Sequence, residues 1–150
     1  SWKNKHEDNT KKVYALLQIG NIPTDISLEA KELIRNFKNI AENLEPIKEQ
    51  LEFEEQMFFE QSFFNDLIDM LNAHNNGVGN LKIMKNISPE QHQELIIKSQ
   101  ENCLRIMNML KNQMDNISND IFKNLVHKSN FDLEVLAEYV KSRSFGKSSI

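Results

Sequence analysis

Few side chains in this 150-residue chain can hold a metal, move a proton or attack a carbon: four histidines, one cysteine and 22 carboxylates. A metal site built on helices takes its ligands from His, Cys, Asp or Glu one turn apart, yet no Glu-x-x-His, His-x-x-x-His or Cys-x-x-Cys occurs. His74 and His92 flank the clearest loop signal in the chain, so they are the one histidine pair expected to approach across a turn, with Glu90 and Glu94 alongside. That makes them a candidate polar or pH-sensing site. The simpler reading is that a histidine near a helix C-terminus answers the helix dipole.

Cys103 falls on an apolar seam and reads as a small core residue. His92 lies eleven residues away, about 16 Å along a helix, too far to serve as its base. With no glycine-rich phosphate loop and no nucleophile elbow, no catalytic residue, metal ligand or polar cofactor is expected.

The elements that carry these residues read as helices. Four glycines and three prolines are too few for a sandwich or barrel with a turn every ten residues. A single cysteine rules out an internal disulfide, and no apolar run approaches a membrane-spanning length. The opening residues carry no signal-peptide pattern, so a cytoplasmic protein is expected. A net charge of -4 and a pI near 5.6 disfavour nucleic acid as a partner. From Glu42 to Asp69 every charged residue except Lys48 is acidic, which reads as a solvated helix face or as a docking surface for a basic partner.

A first amphipathic helix is expected from His6 to Ile19, ending at Gly20 and Pro23. From Thr24 onwards Leu33, Phe37, Ile40, Leu44, Ile47 and Leu51 recur at spacings of four and three, an apolar seam that passes through Pro46 undisturbed. One long helix kinked at Pro46 is therefore expected, with a new helix starting at Pro46 as the rival. It runs on to Ala73-His74, and residues 75–80, rich in Asn and Gly, read as a loop. Ser88-Pro89-Glu90-Gln91 is a helix start with a capping box. A second long helix follows, with Cys103, Met107, Leu110, Met114, Ile117 and Ile121 as its seam and a weak point at Asn116–Asn119. A last helix is expected over 131–143 and a frayed tail over 144–150.

These elements predict one all-α domain over residues 1–150: a helical bundle built on a long antiparallel hairpin with shorter N- and C-terminal helices. The alternative is a more globular cluster of six or seven helices, with breaks near Pro46 and Asn116–Asn119. In the hairpin the Phe-rich stretch 53–71 lies at the far end, opposite Leu95, Ile96 and Ile97, with more apolar surface than two helices can cover. Phe53, Met57, Phe58, Phe59, Phe63, Phe64, Leu67, Ile68, Leu71 and Ile96 are thus the candidate binding residues. The expected function is a non-enzymatic regulatory or interaction module that binds a protein partner or forms a homodimer through this stretch. The alternative is a sensor that encloses a fatty-acid-like or other apolar molecule in a Phe/Met-lined cavity.

Overall fold

The structure, a computed structural model, describes residues 1–20 and 22–126, with Glu138 and Lys141 beyond them. Of the helix expected over 131–143 only Glu138 and Lys141 are described, both helical, and the rest of it and the tail lie outside the described residues. Helices α1 (Trp2–Ile19), α2 (Thr24–Leu44), α3 (Phe53–Met57), α4 (Phe63–Ile83) and α5 (Pro89–Val126) carry the chain, and the described residues contain no strand. A 3-10 segment, Glu45–Gln50, follows α2; a π turn, Phe58–Ser62, joins α3 to α4 with helical dihedrals on both sides. None of these helices is long and apolar enough to cross a membrane.

The expected helix kinked at Pro46 does not form. Pro46 lies in the first turn of the 3-10 segment, Ile47 leaves helical geometry (φ -116°, ψ 19°), and Leu51 and Glu52 are extended, with ψ of 151° and 158°. A fresh helix then starts at Glu52, whose side chain and that of Glu55 form a reciprocal capping box. The chain has turned back, so α2 and α4 run in opposite directions. Among the described residues four long helices result, rather than two, and rather than six or seven. The apolar period survived the turn because Leu44 and Leu51 are both buried, on either side of it.

Contacts between elements join α1 to α2 and α4, and α5 to α4 and α2, which closes a ring of four helices. Their directions follow from individual contacts. Trp2 N–H donates to Glu45 Oε1 (2.6 Å) and His6 packs on Phe37, so α1 and α2 are antiparallel. His6 meets Phe59 and Asn75 Nδ2 donates to Leu16 O, so α1 and α4 run the same way. The His74 Nδ1 to Ser99 Oγ contact (2.6 Å) sets the antiparallel register of α4 and α5.

Helix α5 begins as its sequence predicts: Gln91 N–H donates to Ser88 Oγ and Ser88 N–H to Gln91 Oε1, both at 3.2 Å. It then passes unbroken through Asn116–Asn119. Its buried seam is Cys103, Met107, Leu110, Met114, Ser118, Ile121 and Leu125. Ser118 takes the place expected for Ile117 because a straight α-helix drifts about 20° per heptad against a strict seven-residue repeat.

The segment 75–80 is helix, not loop: α4 continues to Ile83. Each glycine in a helix interior costs about 1 kcal/mol against alanine, but His74, Val78 and Leu81 continue the inward spacing of α4 beside α5, and His74 and Asn75 hold tertiary hydrogen bonds. Beyond His74 the character of the pair changes. No residue from 75 to 102 is buried. Helix α1 ends at Ile19 and α2 begins at Thr24, level with His74 and Asn75, so the last turns of α4 and the first of α5 stand beyond the ring as a two-helix arm.

Candidate functional site

Phe58, Phe59, Phe63 and Phe64 are two ring pairs five residues apart. In an α-helix such residues point about 140° apart, so one pair would face away from the core. The π turn removes that conflict. Phe63 N–H donates to Phe58 O, five residues back, and all four rings are buried. The wider turn also takes the Phe59 carbonyl away from its usual α-helical donor, Phe63 N–H.

That carbonyl is met by His6. The Nε2 atom lies 2.6 Å from Phe59 O, and because a carbonyl only accepts, Nε2 carries the proton and donates. His6 is 2% exposed, stacked under Trp2 and tilted against Phe37 and Phe64 at 5.0 and 5.5 Å between centroids. Phe37 stacks on Phe63 at 3.8 Å and meets Phe58, Phe59 and Phe64 at 5.5–5.8 Å. Burial pushes the His6 pKa below its ordinary value; the Phe59 hydrogen bond and Glu45 pull it back up, while Lys38 and Lys5 add to the lowering. The neutral imidazole is the form this site holds.

Polar contacts close the edges of the ring cluster. The Glu45 carboxylate caps the α1 N-terminus through Trp2 N–H, an anion at the positive end of a helix. Lys5 Nζ donates to Glu60 Oε1 at 2.8 Å, an ion pair on the π turn that lowers the Glu60 pKa. Trp2 and His6 do not figure among the residues the sequence singles out. Their signal is nonetheless present, since Trp2, His6, Val13 and Leu17 recur at spacings of 4, 7 and 4 on one face of α1.

The structure places the expected binding residues as follows. Phe58, Phe59, Phe63, Phe64, Leu67 and Leu71 point inward; Met57 and Ile68 are half-buried; Phe53, at the start of α3, is exposed. The Phe-rich stretch does not face Leu95–Ile97. Eleven residues back along α4 and eleven forward along α5 from the His74–Ser99 contact puts Phe63 level with Leu110, because the reversal at Leu51–Glu52 brings the π turn and the start of α4 beside α1 and α2. Ile96 sits half-buried in the arm, away from the rings.

His74 and His92 are not brought together. His74 is buried against Ser99, and half-buried His92 lies seven residues before Ser99, about 10 Å along α5. Among the described residues no three His, Cys, Asp or Glu side chains gather as a metal site. Cys103 is buried and its thiol pKa is raised by burial, the reverse of what a nucleophile needs.

The chain matches no family model, no curated protein and no solved structure. What it can do must be read from its own surfaces.

Two surfaces stand apart from the ring cluster. A groove of about 310 Å³ between α2 and α5 is lined by Glu29, Glu32, Leu33, Asn36, Met107, Asn108 and Lys111, with no aromatic residue. The arm is the other. It exposes Ile83 (76%), Met84 (56%), Leu95 and Ile97, and its half-buried residues include Val78, Leu81, His92 and Ile96. Lys82, Lys85, Glu90, Glu94 and Lys98 surround them.

Proposed function

We propose that this chain is a non-enzymatic helical interaction module that works by protein–protein binding, and that its binding surface is the α4–α5 arm. The observation that carries the reading is the arm itself: two helices beyond the four-helix ring with no buried residue over 75–102 and with Ile83, Met84, Leu95 and Ile97 open to solvent. An extension without a core of its own adds little to folding, and exposed apolar side chains on it mark a place where a partner gains by covering them. The Phe-rich stretch, which drew attention in the sequence, is covered in this form by α1 and α2.

An apolar-ligand sensor finds less support, because rings 3.8–6.0 Å apart fill one another's space rather than enclose a guest. A second copy of the chain is the first partner to test. Sedimentation of the full chain across a range of concentrations, with hydrogen exchange over 75–102, examines the reading directly. Protection of the arm that rises with concentration, or on addition of a partner, and disappears in Ile83→Glu/Ile97→Glu protein of unchanged helicity supports it. An arm already protected in dilute monomer would sink it.

A further inference from the structure

We propose that α1 is an acid-released clasp: proton uptake by His6 frees the N-terminal half of α1 from the π turn and bares the phenylalanine cluster, while the pairing of α4 with α5 persists.

The geometry points to this in three steps. First, the His6 ring makes one hydrogen bond, from Nε2 to the Phe59 carbonyl. A second proton must go to Nδ1, which has no acceptor among the described residues, in a site bounded by Trp2, Phe37, Phe59 and Phe64. The imidazolium would be stranded there, since a buried charge is held only when paired and hydrogen-bonded.

Second, the charges around the site do not rescue it. Lys5 on α1 and Lys38 on α2 oppose a positive ring. Glu45, after α2, favours one, but its carboxylate is already engaged by Trp2 N–H. Glu60 on the π turn is paired with Lys5. From α4 the neighbour is Phe64, a ring without charge. Each element packed on His6 therefore contributes either apolar surface, a like charge or a carboxylate with a partner of its own.

Third, the N-terminal half of α1 can leave without dismantling the rest. Helix α1 packs on α4, α2 and the π turn, whereas α5 is joined to the fold chiefly through α4 and α2. The anchors of its N-terminal half are Trp2, His6, the Glu45 cap and the Lys5–Glu60 pair. His6 is the one of these anchors that is both buried and titratable near neutral pH, and Trp2 stacks on its ring. Release would uncover Phe58, Phe59, Phe63 and Phe64, the stretch that the sequence alone marks as a binding surface.

Trp2 is the only tryptophan in the chain and stacks 5.9 Å from Phe59, so its fluorescence reports the clasp without a label. The test takes the full-length chain from pH 7.5 to pH 4.5 and follows Trp2 emission together with hydrogen exchange of α1 and α5. The expected result is a reversible red shift of Trp2 as pH falls below the ordinary histidine range, with exchange gained over residues 2–10 and protection kept over 103–125. In His6→Gln, whose amide can still donate to Phe59 O but does not titrate, the red shift should vanish; His6→Phe is the second variant should the first fold poorly. His74→Gln removes the other buried histidine among the described residues and should leave the transition in place. Simultaneous loss of protection in α1 and α5 would overturn the clasp in favour of general acid unfolding. A transition unchanged in both His6 variants, or none down to pH 4.5, would overturn it as well.

Discussion

The two halves of α4 are alike in backbone and unlike in everything else. Up to His74 its inward residues are buried under α1, α2 and α5; past His74 the same helix, on the same period, buries none. Its own residues did not change enough to cause this, since Val78 and Leu81 continue the apolar spacing. Neighbours changed: α1 stops and α2 starts level with His74 and Asn75. Burial is thus a property of what lies beside a helix, and amphipathicity in the sequence states only that some neighbour is wanted.

The contrast can be broken most directly at its two extremes. Phe63→Ala, in the centre of the ring cluster, is expected to cost about 3–5 kcal/mol in urea unfolding, whereas Ile83→Ala on the arm should stay within about 0.5 kcal/mol. Equal costs would mean that the arm is covered after all.

Acid should act at the ring end. Because the His6 pKa is lowered by folding, the stability contributed by its neutral form is present above the unfolded value near 6.5 and is lost as pH falls below it. The thermal midpoint of the wild type is expected to drop over that interval and that of His6→Gln to drop less; parallel curves would refute the assignment.

Glycines sharpen the same comparison by sign. A Cβ on Gly20 would overlap the Asn75 side-chain oxygen and crowd His74, while Cβ atoms on Gly77 and Gly79 meet nothing. Displacing Asn75 breaks its hydrogen bond to Leu16, so Gly20→Ala should destabilise by about 1 kcal/mol. Gly77→Ala should stabilise by up to about 1 kcal/mol, because alanine is the better helix former in an exposed helix. The smallest effect belongs to the Lys5–Glu60 pair, whose side chains are half in solvent: a double-mutant cycle should give no more than about 1 kcal/mol, and less in high salt.

Much of the fold was legible where local rules act alone. The start of α5 follows from Ser88, Pro89 and Gln91, and its seam from Cys103 to Leu125 is close to what the period predicts. The reversal after Leu44 was hidden because periodicity records which residues are buried and carries no information on chain direction. The arm was hidden for the opposite reason: Gly77 and Gly79 signal a loop, and only the contact of α4 with α5 keeps them helical. Of the site, the four phenylalanines stand out in the sequence as part of an apolar excess over 53–71, whereas the π turn that gathers them to one side is a backbone feature the apolar pattern does not state. The signal for His6 is the 4, 7, 4 spacing of Trp2, His6, Val13 and Leu17, which states that the histidine is buried but not that its partner is the Phe59 carbonyl.

The π turn has one more effect on how the molecule is put together. A helix that gains a residue rotates everything after it by about 100° relative to everything before it. Phe58–Ser62 is such a phase step, set between a capped start at Glu52 and the long run of α4. Without it, the rings at 58 and 59 and those at 63 and 64 would serve two different sides of the molecule. With it, a stretch of seven residues presents four phenylalanines to one interior, and the carbonyl left over at the step becomes the place where another helix takes hold.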